Sequence, residues 1–374
     1  MSRRLFLALP LALASCGSCG EPAPPVKPGA AGLETIPADE AAATAEAAKL
    51  IADSIRKTYP EGTRPARRDA HAKAHGCVKA TFAVPELPEH LRVGVFKEPR
   101  TYLAWIRYSN GNGTPQPDSV GDGRGMAVKL MGVPGKKVLA GEADAATHDF
   151  MMINHPVFFI DNAANYVTFT KDSQGGDVLA YFLGLRSPLS WHLKAGKIVG
   201  EMVATKAVNP LELQYFSMSA YLFGDRAIKF SARPCAASPG LSSATASPDF
   251  LADNMEKTLK DGPGCFEFMV QLQGDPKDMP VEDPTELWSE KASPFVKVAH
   301  IEIPSQAFRS EEQRKLCEDL SFTPWHALPE HRPLGGINRL RKVVYETISS
   351  LRHDLNGVPR QEPAAGPDFL PKAP

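Results

Sequence analysis

Apolar residues change their spacing several times along the chain, and each change predicts a different element. An apolar stretch over 5–14 follows Arg3 and Arg4 and is too short to span a bilayer. Residues 17–38 are rich in Pro, Gly and Ala and read as a flexible linker. An Ala-rich pattern with Ile51 and Ile55 four apart predicts a helix over 39–59, stopped by Pro60-Glu61-Gly62. From Val78 the period shortens to two, predicting strands over 78–84, 101–109, 125–131 and 150–160. Helices over 163–171 and 177–185 come next, then strands over 213–222, 227–233, 266–273 and 296–303. Leu340, Val344, Ile348 and Leu351 recur at helical spacing, predicting a helix over 334–355 that stops at Gly357. The Pro-spaced residues 359–374 read as a disordered tail.

Strands, two helices, more strands and a last helix describe an α+β chain, an antiparallel barrel with helical additions. The 34 prolines argue against a helical bundle. Lys and Arg (42) nearly cancel Asp and Glu (43), so no basic field is present to hold nucleic acid. The start of the chain reads as an address. Leu13-Ala14-Ser15-Cys16 looks like a lipobox, and Arg3-Arg4 before Leu5-Phe6-Leu7 resembles a twin-arginine signal. The expectation is a signal peptide over 1–16 and an exported, periplasmic or outer-membrane lipoprotein. It would meet the membrane only through a lipid on Cys16, the alternative being an ordinary cleaved signal. A single domain would then occupy 39–358. In an oxidising compartment Cys77, Cys235, Cys265 and Cys317 could form two disulfides, with three connectivities open, or stay as buried thiols. None has a metal-ligand spacing, which argues against zinc.

Four segments carry the candidate chemistry: Arg68-Asp69-Ala70-His71-Ala72-Lys73; Arg107-Tyr108-Ser109 with Asp122-Gly123-Arg124-Gly125-Met126-Ala127-Val128-Lys129; Asn154-His155-Pro156-Val157-Phe158-Phe159-Ile160; and Arg341-Lys342-Val343-Val344-Tyr345 with Arg352. In this order they resemble the haem-dependent catalase family, in its small, peroxidase-like branch. That family carries R-x-x-H-A-K, then R-F-S and D-P-R-G-F-A-V-K, then N-N-x-P-x-F-F-I, and finally R-x-x-x-Y with an Arg at +7. Weaker matches lie at 266–273 and 283–288, and the resemblance covers about residues 64–356. Each motif alone is weak, but four in order are a strong signal.

The resemblance implies an antiparallel β-barrel of the haem-catalase type binding haem b, with Tyr345 as the iron ligand. Tyrosine ligates ferric iron as phenolate, which a nearby positive charge favours. Arg341, one helical turn before Tyr345, can donate to that oxygen. The resemblance further implies Arg68, Arg107 and Arg352 as propionate partners, Tyr166 against the macrocycle, and His71 as the distal acid–base group oriented by Ser109. Asp122 would lie along the channel, whereas His75 reads as a structural or channel-wall residue and Met151 and Met152 as core.

The departures matter as much. Anchoring on Pro156 puts Ile153 at the family's distal asparagine, so Asn154 would reach the site only through a bulge or register shift. Ala70 stands where the family has a valine above the haem, and Glu346-Thr347-Ile348-Ser349 replaces P-D-T-H. His71, Ser109 and Asn154 are the catalytic expectation, with a roomier and more apolar pocket than hydrogen peroxide needs. The family's long C-terminal region and most of its N-terminal arm have no counterpart, implying a monomer or small homo-oligomer without NADPH. The expected activity is peroxidase or catalase-type, on a small-molecule peroxide with an unknown electron donor, favouring organic hydroperoxides. The alternatives are isomerisation or dehydration of a fatty-acid hydroperoxide, or non-catalytic haem binding.

Overall fold

The computed structural model describes residues 32–175, 178–183, 192–235 and 246–364. The signal peptide, Cys16, most of the linker and residues 365–374 lie outside them, as do 177 and 184–185 of one expected helix.

Nine strands form one antiparallel sheet: β1 (Ala74–Val84), β2 (Arg100–Asn110), β3 (Arg124–Met131), β4 (Thr147–Ile153), β5 (Tyr215–Phe216), β6 (Tyr221–Phe223), β7 (Arg226–Pro234), β8 (Gly264–Leu272) and β9 (Val296–Ile303). Their order is β5-β4-β3-β2-β1-β9-β8-β7-β6, and pairing of β5 with β7 closes the sheet into a barrel. Closure leaves almost no free edge for another chain to pair with. Strand alternation divides the residues between two faces. Ile106, Tyr108, Met126, Val128, Phe150 and Met152 point inward to a core filled with phenylalanine rings, such as Phe150 and Phe268 at 4.6 Å. The barrel interior is therefore packed, and any ligand must lie outside it.

The helices supply that outside. They are α1 (Glu40–Thr58), α2 (Ala163–Gln174), α3 (Val178–Leu183), α4 (Leu193–Ala204), α5 (Phe250–Asp261), α6 (Glu311–Asp319) and α7 (Gly336–Asn356). Ala47, Ile51 and Ile55 of α1 pack with Val167 of α2 and Leu340 and Val344 of α7 in a second core. α7 runs through Tyr345 without a break and ends at Gly357, whose φ of 66° turns the chain as few other residues can. Among the described residues no helix is long and apolar enough to cross a membrane.

Several expectations need correction. β4 stops at Ile153, not 160, because Asn154-His155-Pro156 cannot continue the ladder. The strand expected over 213–222 is two short pieces, with Met218 between them at a φ of 60°. α4, α5 and α6 were not expected. The end of the linker is docked: buried Glu34 accepts from Gly335 N at 2.9 Å and from Arg332 and Arg339. The start of the tail is docked as well, since Glu362 pairs with buried Lys129 at 2.6 Å. In both cases an acidic side chain joins the carboxylates that already balance a cation: Asp149 beside Lys129, and Glu40 and Glu282 beside Arg339. The disulfides are Cys77–Cys317, joining β1 to α6, and Cys235–Cys265.

Candidate functional site

The outward parity of three strands builds one wall of a cavity: Arg107 and Ser109 of β2, Gly125 and Ala127 of β3, Met151 and Ile153 of β4. Tyr166 of α2 and Ile337, Arg341, Val344, Tyr345, Ile348 and Arg352 of α7 form the other wall, and Arg68 to His71 close one side. Helical spacing puts Arg341, Tyr345, Ile348 and Arg352 on one stripe. Arg341 Nη2 donates to the Tyr345 hydroxyl at 3.2 Å, and its guanidinium lies 5.1 Å from that ring's centre. Burial opposes the charge on Arg341, but the Tyr345 and Tyr221 hydroxyls outweigh it and hold its pKa above the usual value.

Two guanidiniums share one carboxylate at the Arg68 side, and a third lies within reach of its charge. Arg68 Nη1 donates to Glu318 Oε1 at 3.0 Å, and Arg352 Nη1 lies 3.8 Å from the same oxygen. Arg107 Nη2 donates to His71 O at 2.8 Å, while its Nε is buried with no partner. Burial and then Arg68 bring Arg352 down to about 9 and also lower Arg107. Burial would raise Glu318, but Arg68, Arg107 and Arg352 hold it low. The excess of positive charge suits a ligand with two carboxylates.

His71 faces the cavity from a residue with φ of 61°, a conformation that costs a non-glycine residue on the order of 1 kcal/mol. Hydrogen bonds to Gly111 O (3.0 Å) and from Arg107 hold it there. Its Nδ1 lies 3.0 Å from Ser109 Oγ. Gly125 makes this stacking possible, because a Cβ there would meet the imidazole at 2.7 Å and Ser109 Oγ at 2.9 Å. Burial, then Arg107 and Arg341, lower His71 to about 4, so the ring is a neutral base at pH 7.

Of the expected residues, Arg68, His71, Arg107, Ser109, Tyr166, Arg341, Tyr345 and Arg352 meet around this cavity, and Asn154 does not. β3 and β4 pair without a bulge up to Gly125–Ile153, so Ile153 keeps the outward parity and Asn154 turns away. Asn154 instead clasps Arg124, accepting from its N–H at 2.7 Å and donating to its O at 2.9 Å. Asp122 is also absent from the lining and accepts from Asn112 N at 3.0 Å. His75 is buried behind the site, 2.9 Å from Asn110 Oδ1. Met151 and Met152 do border the cavity, though Met152 belongs to the barrel core.

Two charged residues were missed. Glu318 had no motif to reveal it; it follows Cys317, whose disulfide fixes α6 against β1. Asp69 lies in the R-x-x-H segment at a position that the pattern leaves blank.

The donor set fits haem. An arginine-bonded phenol offers an oxygen ligand, Met126, Met151, Ile153, Phe158, Ile337 and Val344 give apolar walls, and the guanidiniums suit two propionates. No family model matches the chain. It is 28% identical over 318 residues to a catalase-related peroxidase of Mycolicibacterium paratuberculosis, covering 80% of this chain and 93% of that protein. Among solved structures, a fungal catalase superposes with a TM-score of 0.63 at 15% identity, over 82% of this chain and 64% of that one. Catalase A from Saccharomyces cerevisiae gives 0.61 at 16%, over 79% and 63%, so the chain spans less than two thirds of either catalase.

Proposed function

Because the chain is a catalase relative in fold and in sequence, we infer that it is a haem-dependent oxidoreductase of the peroxidase/catalase type acting on peroxides. One observation carries the reading: the Arg341–Tyr345 pair and the His71–Ser109 pair line the same cavity, one from α7 and the other from the barrel side. Haem b would supply the iron at which the O–O bond is cleaved. Tyr345 would ligate it, Arg341 would hold the phenolate, and Arg68, Arg107 and Arg352 would take the propionates. His71, neutral above about pH 4, would take the proton of the bound peroxide and return it to the leaving oxygen. Ser109 would orient the ring. The test is direct: the full chain loaded with haem should show the absorption of a tyrosinate-ligated ferric haem and change it on adding peroxide. A chain that takes up no haem ends this reading.

The preference is for organic hydroperoxides. Ile153 gives the cavity a branched apolar side chain where an amide would bind a small polar peroxide, and exposed Ala70 leaves room beside His71. Each substrate methylene buried there contributes ~0.8 kcal/mol. Relative to hydrogen peroxide, kcat/KM for cumene hydroperoxide should be higher than in a typical catalase. Ile153→Asn with Ala70→Val should return the ratio toward hydrogen peroxide by roughly tenfold, the equivalent of about two methylenes. An unmoved ratio removes the roomy pocket from the explanation. The same apolar lining favours, as a second reading, isomerisation or dehydration of a fatty-acid hydroperoxide, in which case the product is an epoxide and not the alcohol. The leader reading places this chemistry on an exported lipoprotein, monomeric or a small homo-oligomer, drawing on an electron donor of unknown kind.

A further inference from the structure

Asp69 is out of keeping with its surroundings. Its side chain lines the cavity two residues from His71, yet among the described residues it has no hydrogen-bond or ion-pair partner. The side chain is part-buried, and a carboxylate drawn partly out of water gains from a partner. Cations stand on every side of the cavity and all are turned elsewhere: Arg68 to Glu318, Arg107 to His71 O, Arg341 to Tyr345 and Arg352 to Glu318. From α2 the facing group is the Tyr166 phenol, which burial and then the Asp69 charge keep un-ionised. A carboxyl with free oxygens, in a chamber whose arginines make their bonds elsewhere, is available to whatever the chamber holds.

We propose that Asp69 is a second proton-exchanging group of the cavity, which accepts the proton of a weakly acidic ligand such as a hydroperoxide and then hydrogen-bonds its anion. In that exchange the ligand's proton passes to a carboxylate oxygen, the ligand is left as its anion, and no electron moves. This rests on the haem reading and adds a residue that the catalase resemblance does not supply. Burial pushes the carboxyl up to about 6, well separated from His71 at about 4, so the two groups work in different pH ranges. Above pH 6 the cavity has two bases, and below it only His71.

The experiment is a cyanide titration of the haem-loaded full chain, read at the Soret band from pH 5 to 8, for wild type and Asp69→Asn. Hydrogen cyanide is the weak acid, and its affinity does not depend on turnover. Wild type and variant should agree near pH 5, and wild type should bind roughly tenfold more tightly by pH 7.5, the scale of one unit of pH in proton affinity. Asp69→Glu, which keeps the acid, should restore a pH-dependent step. A second measurement needs no haem. A carboxyl whose folded pKa is raised is best tolerated below its unfolded value and loses that stability as pH rises through about 6. The melting temperature of haem-free Asp69→Asn should therefore exceed wild type at pH 8 and match it at pH 4. If haem binds but the affinity ratio stays the same at every pH, Asp69 is overturned as a proton acceptor while the haem reading stands. If no Soret band forms, both are overturned together.

Discussion

Tyr345→Phe should lower haem affinity by more than about 100-fold and remove the tyrosinate signature from the ferric spectrum. Loss of a group outside the ligand sphere already costs a metal site 10–100-fold, and loss of the ligand itself costs more. Among the described residues no second phenol of the lining is held by an arginine. Tyr166 is the other phenol of the lining, but burial and the Asp69 charge keep it neutral, and no guanidinium donates to it. Arg341, by contrast, is committed to the Tyr345 oxygen at 3.2 Å and braced by Asn338 Oδ1 at 3.0 Å. The phenyl ring fills nearly the same volume, so the fold should hold and far-UV circular dichroism should be unchanged. A variant that takes up haem with wild-type affinity and spectrum removes Tyr345 as the ligand.

His71→Ala should leave haem binding nearly intact while slowing the reaction with peroxide by roughly 10²–10⁴-fold, the range for a lost acid–base group. Stopped-flow absorbance after mixing with peroxide measures it. The pH profile gives an independent signature. Because burial and the arginines lower His71 to about 4, the part of the wild-type rate that depends on His71 should persist through neutral pH and be lost as the ring protonates near that value. The variant should lack that acid limb. Equal rates in the two proteins would take His71 out of the proton transfer.

The two variants act on parts of the site that the sequence revealed unequally. The α7 stripe was legible because Arg341, Tyr345 and Arg352 sit at helical spacing among Leu340, Val344 and Ile348, so pattern and chemistry coincide. The barrel was legible through strand alternation, which also decided between Ile153 and Asn154 once β3 and β4 proved to pair without a bulge. α5 was in reach, since Leu251, Met255 and Leu259 recur four apart and all are buried. α6 was not. Its sequence is almost wholly polar, and a disulfide, with little apolar surface to help, fixes it to β1. That is why Glu318, which organises the arginines, was invisible. Asp69 was missed for a different reason: a motif names the positions it holds constant and is silent about the ones between.

The first described helix packs against the last, and the cavity lies beside that contact. On a ribosome this sets an order of events. His71 and Ser109 are made long before α7, and the Arg341–Tyr345 pair is absent from that stripe until residue 345 has emerged. Ala66, just ahead of His71, hydrogen-bonds the Asn356 side chain through both its N–H and its carbonyl, so the end of α7 adds the last ties to the His71 side of the chamber. On the haem reading, cofactor loading would belong after synthesis: a nascent or prematurely ended chain could build most of the barrel and still lack Tyr345.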